Sequence, residues 1–400
     1  MYPLTPDLID FLLGAEAQAA LADLREANLR DAVLLDRVSE LRRRFAPAEA
    51  AVLVDQARLR LKARAKFPDA ERLYLTDEAL EQATSRAVAL THAAAFRAFN
   101  RVADLGCGIG ADTLALAEVV PQVVAVELDP VRARLAELNI TTSGLADRVR
   151  VIEGDWTKLT LDVEAAFVDP ARRTVPGRHA GSRRLRGLSE MVPPISAIME
   201  LLHTVPHVAV KVAPGVDHAE VPPEAEVAFI SEKGNLKEAL LRFGDLRTGA
   251  KWEAVLLPGP DRLSSDMPAG PIAVREPIAY LYEPDPAILR AGLVTTLATQ
   301  IGAAQIDATI AYLTTEAPVD TPFARIWRVE RHGHFHLKTL NRWLRELEIG
   351  HVTLKKRGSP IDVDTFSRRL KPLPGGRPAT VFFTRMQGVP WMVVGTEVIA

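Results

Sequence analysis

The chain has 400 residues, 48% apolar and 25% charged, which suits a soluble globular protein of more than one domain and excludes global disorder. Forty-nine Lys and Arg against fifty-one Asp and Glu leave a net charge of −2, so the whole molecule does not demand a polyanionic partner. One cysteine, Cys107, excludes an internal disulfide, Cys-rich zinc sites and any two-cysteine mechanism.

Residues 1–100 read as helical. Thr5 is placed to cap a first helix with Pro6 at its opening position, and apolar residues recur at Leu8, Leu12, Ala15 and Ala19. Further helices are expected over 31–44, 48–64 and 77–98. The last has Thr76 as its cap, with Asp77 and Glu78 at the positive end of its dipole. The bulk of this region is expected to pack on the next domain; the polar residues around 73–84 are candidates to line a site. From residue 101 short β-branched runs alternate with helical periods, the mark of a parallel sheet with crossover helices. Strands are expected over 101–105, 123–128, 148–153, 165–169 and 207–213, then over 226–231, 239–243 and 253–257. Helices are expected over 111–120 and 130–141. Pro-Gly-rich stretches near 258–272 mark a boundary. A linker and small α/β subdomain (259–324) and a last α/β domain (325–400) follow. That domain should hold strands at 325–330 and 351–354, helices at 338–347 and 364–370, and a hairpin of 379–384 with 391–394.

The run Asp104-Leu105-Gly106-Cys107-Gly108-Ile109-Gly110 follows the first strand, where glycines let the chain turn sharply and a ligand approach the backbone. Gly106, Gly108 and Ala111 also satisfy the dinucleotide fingerprint, so a nicotinamide cofactor is the competing reading. Asp104 separates the two, because a carboxylate there would repel a pyrophosphate and attract an ammonium or a sulfonium. Glu127, twenty-one residues past Gly106, ends the second strand and can accept both ribose hydroxyls. Asp155 ends the third and can accept from an adenine amino group, with Leu128 or Trp156 covering the ring. These acids behind a glycine loop point to S-adenosylmethionine.

Residues 101–213 resemble a class I S-adenosylmethionine-dependent methyltransferase, with a Rossmann-like α/β fold. The whole chain resembles a bacterial group that joins such a domain to a C-terminal THUMP-like domain. That second resemblance rests on Tyr282-Glu283-Pro284-Asp285-Pro286-Ala287-Ile288, Lys338-Thr339-Leu340-Asn341 and Lys355-Lys356-Arg357-Gly358. THUMP domains are associated with RNA-modifying enzymes, so the resemblance implies an RNA substrate.

In this fold the end of the fourth strand faces the methyl group, and here it reads Asp169-Pro170-Ala171-Arg172. Asp169-Pro170 matches the first half of the [DN]-P-P-[YFW] run of amino-methylating enzymes, while Ala171 and Arg172 depart from the second half. The run also resembles the D-P-P-R of enzymes that methylate C5 of uridine. That chemistry needs a separate cysteine nucleophile, and the only cysteine lies in the glycine loop. A nitrogen acceptor fits better, with oxygen the alternative. Arg172, Arg173, Arg178, Arg183, Arg184 and Arg186 then form an acid-free basic loop suited to phosphates. Between Arg325 and Arg377 thirteen Lys or Arg stand against five acids, so this stretch is strongly basic inside a neutral chain. Within it Lys355, Lys356 and Arg357 are candidates to grip RNA. His332, His334 and His336 would share one strand face, but a metal is not expected. The expected activity is methyl transfer from S-adenosylmethionine to a base nitrogen of RNA. A methyltransferase of small molecules or proteins, or a non-catalytic cofactor- and RNA-binding protein, are the alternatives. No eighteen-residue apolar run suggests a membrane span and no basic secretory segment opens the chain, so a reducing cytoplasm is the expected compartment.

Overall fold

Thr5 opens the first helix by accepting the amide of Leu8, with Pro6 supplying a pre-set φ where an amide is not needed. The computed structural model describes residues 4–26, 38–171, 187–259 and 261–398. These divide into two units, residues 1–225 with 240–248, and residues 226–239 with 249–400.

In the first unit, α1 (Pro6–Leu13), α2 (Ala15–Glu26) and α3 (Pro47–Ala63) bury one apolar face each. Their core includes Leu53, Leu59 and Leu75 and continues into Ile109, Leu135 and Leu138. The helical region is thus packed on the glycine loop and the helix behind it. Half of the helix expected over 31–44 falls outside the described residues, and the described half shows helix at 38–41.

The single helix expected over 77–98 is two: α4 (Asp77–Gln82) and α5 (Arg86–Ala94). Ala83 turns extended at φ −58°, ψ 136°, and the carbonyls of Leu80, Glu81 and Ala83 are taken by the Lys66 ammonium at 2.8–3.0 Å. Three donors on one cation satisfy acceptors that a continuing helix would have bonded itself. The break turns Thr84 inward, where it is buried.

There follow β1 (Arg101–Leu105), α6 (Ala111–Val119), β2 (Gln122–Glu127), α7 (Pro130–Thr142), β3 (Val149–Glu153) and β4 (Ala165–Val168). After them come α8 (Ile195–Leu201) and β5 (His207–Val212). The strands pair in parallel in the order β3-β2-β1-β4-β5, so the chain reverses its direction of winding between β1 and β4. Ligands of such sheets bind at the carboxyl ends of the strands beside that reversal.

In the second unit β6 (Glu226–Glu232) runs parallel to β8 (Trp252–Leu257), which pairs antiparallel with β9 (Asp261–Ser264). Strand β7 (Asn235–Arg242) gives residues to both units. Next come β10 (Tyr280–Pro284), α9 (Pro286–Arg290), α10 (Val294–Ile301), β11 (Ala304–Asp307) and β12 (Ile310–Thr315). The chain continues with β13 (Ala324–His334), α11 (Leu337–Glu346), β14 (Ile349–Lys356), α12 (Val363–Ser367), β15 (Arg377–Met386) and β16 (Val389–Glu397). Seven strands pair in the order β11-β12-β10-β13-β16-β15-β14. The expected division at 324 falls inside this sheet, since β10 pairs with β13 from Tyr280–Arg328 to Pro284–Ala324. Adjacent residues serve opposite faces: Phe382 packs with Trp327 and Tyr312, while Phe383 packs with Leu340, Leu344 and Phe366.

Candidate active site

The glycine loop is tied to the second strand by backbone alone. Gly106 and Cys107 donate their amides to the carbonyl of Val126 at 2.9 and 3.1 Å. Gly106 has φ +86°, and a Cβ there would stand 2.6 Å from the carbonyl oxygen of Asp169, so no other residue fits. Asp169 in turn donates its amide to Leu105 at 3.0 Å. The loop and the end of the fourth strand are therefore in direct contact.

Glu127 is buried and accepts the amide of Gly108 on Oε2 at 2.8 Å and the amide of Asp129 on Oε1 at 3.0 Å. Each oxygen keeps a further lone pair for a ligand. A Cβ added to Gly108 would meet nothing within 4 Å, so there is open room over the loop. Leu128 is 69% exposed beside it.

Asp104 is fully buried at the core of β1. Its Oδ2 accepts the hydroxyl of Thr113, and its Oδ1 has no partner among the described residues. Burial pushes its carboxyl up to about 8, helped by the nearby charges of Asp112 and Asp169 and opposed by Thr113 and Lys211. Burial also raises the Cys107 thiol well above its usual range, with Asp104 and Glu127 adding to the effect. Such a thiol is a poor nucleophile.

At the other end of the site, Asp169 Oδ2 accepts from Lys211 Nζ at 2.7 Å. That ammonium also donates to Thr84 Oγ1 at 2.9 Å, and Thr84 donates to Asp112 Oδ2 at 2.6 Å. Asp112 Oδ1 lies 2.8 Å from Nδ1 of His92, whose ring stacks on Phe167 at 4.9 Å. Burial penalises the Asp112 charge, but the hydrogen bond and charge of His92, with Lys211 and Thr84, outweigh it and hold the carboxyl below its ordinary value. Thus His92 of α5, Asp112 of α6, Thr84 from the turn before α5 and Lys211 of β5 form a buried polar chain that ends on Asp169, the residue after β4.

Sequence reasoning singled out Asp169, placed Thr84 in a stretch that was a candidate to line a site, and missed Lys211, Asp112 and His92. One signal was available. Lys211 is the only charged residue in the otherwise apolar run Val208-Ala209-Val210-Lys211-Val212, where a buried charge needs a partner.

Of the remaining predicted residues, Gly110 has φ +86° and starts α6, and Pro170 is buried. Asp155 caps a short helical turn instead of standing free: Oδ1 accepts the amide and hydroxyl of Thr157, and Oδ2 lies 3.1 Å from Lys158. These Thr157 and Lys158 bonds hold its carboxyl low. Trp156 follows it, half-buried. Arg172, Arg173, Arg183 and Arg184 lie outside the described residues.

In the second unit the basic run is divided. Lys356 is exposed, but Lys355 pairs with Glu283 and sits 4.8 Å over the Trp327 ring. Arg357 sits 4.8 Å over Tyr312 and donates to the carbonyl of Ala311 at 2.9 Å. Two of the three side chains expected to reach outward are engaged by their own sheet. His332 and His334 do share a face, against Trp391, whereas His336 caps α11 by accepting the amide of Thr339.

Residues 102–169 match the family described as methyltransferase domain, and residues 324–397 match the family described as THUMP domain-like. An uncharacterized S-adenosylmethionine-dependent methyltransferase of Mycobacterium tuberculosis strain H37Rv is 33% identical over 316 residues, covering 78% of this chain and 84% of that protein. Its counterpart in strain CDC 1551 matches equally. The crystal structure of a candidate methyltransferase from Porphyromonas gingivalis W83 superimposes with a TM-score of 0.75 at 22% identity, covering 96% of this chain and 98% of that one. The fold is thus shared along the whole chain, and the level of identity to the mycobacterial proteins extends that kinship to the family: the chain belongs to the class I S-adenosylmethionine-dependent methyltransferases and carries a THUMP-like domain.

Proposed function

We propose that this enzyme methylates a base nitrogen of RNA, with Asp169 holding the acceptor. The observation that carries the reading is the close approach of the Asp169 backbone to Gly106, which brings the residue bearing an acceptor carboxylate beside the glycine loop. Asp104, with its unpartnered buried Oδ1, suits the methionine ammonium. Glu127 suits the ribose hydroxyls, the glycine loop Gly106–Gly108–Gly110 gives the backbone room they need, and Leu128 and Trp156 can cover the adenine. Asp155 would reach the adenine amine with the lone pairs its capping bonds leave. When bound, S-adenosylmethionine supplies a methyl group on a sulfonium, ready for in-line displacement by a nucleophile. The chain's part is to orient and desolvate: Asp169 accepts a hydrogen bond from the acceptor N–H and is the nearest group to receive its proton. Buried Pro170 fixes the backbone that follows.

Support for RNA comes from the THUMP-like segment and its charge. Lys338, Arg342 and Arg345 on α11 and Lys356, Arg368 and Arg369 beyond it are exposed cations on one domain. The inward turn of Lys355 and Arg357 favours a second reading, a small-molecule or protein acceptor, because it thins that face. The deciding experiment compares modified nucleosides by mass spectrometry in RNA from cells lacking the gene. Complementation with the wild-type gene should restore one methylated nucleoside and complementation with Asp169→Ala should not. Identical nucleoside profiles in all three strains would remove RNA as the acceptor. No helix among the described residues is long and apolar enough to cross a membrane.

A further inference from the structure

We propose that Lys211 is the positioning residue of the methyl-transfer site, an ammonium held by Thr84 that anchors the Asp169 carboxylate in the orientation from which it receives the acceptor. This rests on the reading of Asp169 given above. The placement of Lys211 is the first ground. It is 5% exposed in the middle of the central sheet, where desolvation of an ammonium is costly and an apolar side chain would pack as well. A buried lysine there has a use beyond stability. The second ground is geometric. The ammonium lies 2.7 Å from Asp169 and 2.9 Å from Thr84, so a strand and the turn between α4 and α5 fix the carboxylate from behind. Thr84 is itself oriented by its bond to Asp112, and Asp112 by His92. The third ground is charge. Asp104 on β1, Asp112 on α6 and Asp169 after β4 converge on the same buried volume, with His92 of α5, Thr113 of α6 and the Cys107 thiol around them. Lys211 is the cation that Asp104, Asp112 and Asp169 have in common, and it favours the charged form of Asp104 against the burial that raises its carboxyl.

Full-length wild type, Lys211→Met, Lys211→Arg and Thr84→Val would be compared in two assays. The first is calorimetry with S-adenosylhomocysteine across pH. Wild-type affinity should rise with pH as Asp104 ionises. Lys211→Met should still bind, with that rise moved to higher pH, while Lys211→Arg, which keeps the charge, should leave it in place. The second assay follows labelled methyl from S-adenosylmethionine into RNA, protein and small-molecule fractions of cells lacking the gene. In whichever fraction wild type labels, Lys211→Met should slow transfer by about 10²-fold, the scale of a misplaced reacting group. Lys211→Arg should recover part of that loss, and Thr84→Val should fall between. Labelling of protein or small molecules alone overturns the RNA reading and leaves Lys211 to be judged on that acceptor. Wild-type transfer by Lys211→Met, or equal loss of binding and transfer in both Lys211 variants, overturns the positioning role. No label in any fraction overturns it together with the role of Asp169.

Discussion

Two lysine–carboxylate pairs, one in each unit, carry opposite meanings. Lys355 stands in a conspicuous basic run, yet it is folded back onto Glu283 and roofed over Trp327. Lys211 stands alone in an apolar strand, yet it meets Asp169 at the end where methyl transfer is expected. The first pair joins two of the segments by which the C-terminal domain resembles THUMP-like proteins, one around Glu283 and one around Lys355. In this chain those segments are therefore joined by packing as well as by charge. A run of cations is defined along the chain, while a cation's task is defined by the carboxylate the fold brings to it.

The comparison can be broken first at its functional end. Asp169→Ala should lower methyl transfer by about 10²–10⁴-fold, the range for a general acid–base group, with S-adenosylhomocysteine affinity close to wild type by calorimetry. Glu127→Ala should do the reverse, weakening the same ligand by roughly 10–100-fold for the lost charged hydrogen bonds. At the structural end, Lys355→Ala should lower unfolding free energy by roughly 1.5–3 kcal/mol in denaturant titration, since it strips a charged hydrogen bond from Glu283 and leaves cofactor affinity untouched.

How much of this was legible in the sequence follows the same division. The glycine loop, Glu127 and Asp169 were readable because each sits at a strand end, where local pattern and position coincide. Lys211 and His92 were not, because their partners lie on other elements and nothing near them in the chain names those partners; Thr84 was flagged only as part of a polar stretch, without its partners. The helix break at Ala83 was hidden for a related reason: the feature that stabilises it is Lys66, seventeen residues upstream. Conversely, the strong local signal of Lys355-Lys356-Arg357 overstated what reaches solvent, since strand alternation turns Lys355 and Arg357 onto the face that holds Trp327 and Tyr312.

A smaller effect sharpens the electrostatic side. Asp104 is protonated in the folded protein up to about pH 8, whereas in the unfolded chain its ordinary value is 3.8. The folded state therefore holds a proton that the unfolded state has lost, and stability should fall as pH rises between those two values. Asp104→Asn should flatten that slope in denaturation curves taken across the interval. Smallest of all, Lys356→Ala should reduce the salt dependence of RNA binding by about one unit of slope, if that exposed side chain meets one phosphate. An equal change with Lys355→Ala would contradict its inward placement.

The span of the Thr84–Lys211 bond, 127 positions, bears on how the protein is made. A nascent chain that has emerged only as far as α7 can already close the helical core onto Ile109 and Leu138. Asp104 and Asp112 are then present, while β4, which pairs with β1, and the ammonium that the two acids share have not yet been synthesised. Long-range contacts of this kind close after local ones, because the intervening chain must first be ordered. The Asp169–Lys211 end is thus expected to mature only once β5 is laid down, well after the glycine loop. Limited proteolysis of chains arrested before residue 207 and after residue 212 would time that step, with protection of the segment around Thr84 appearing only in the longer chains.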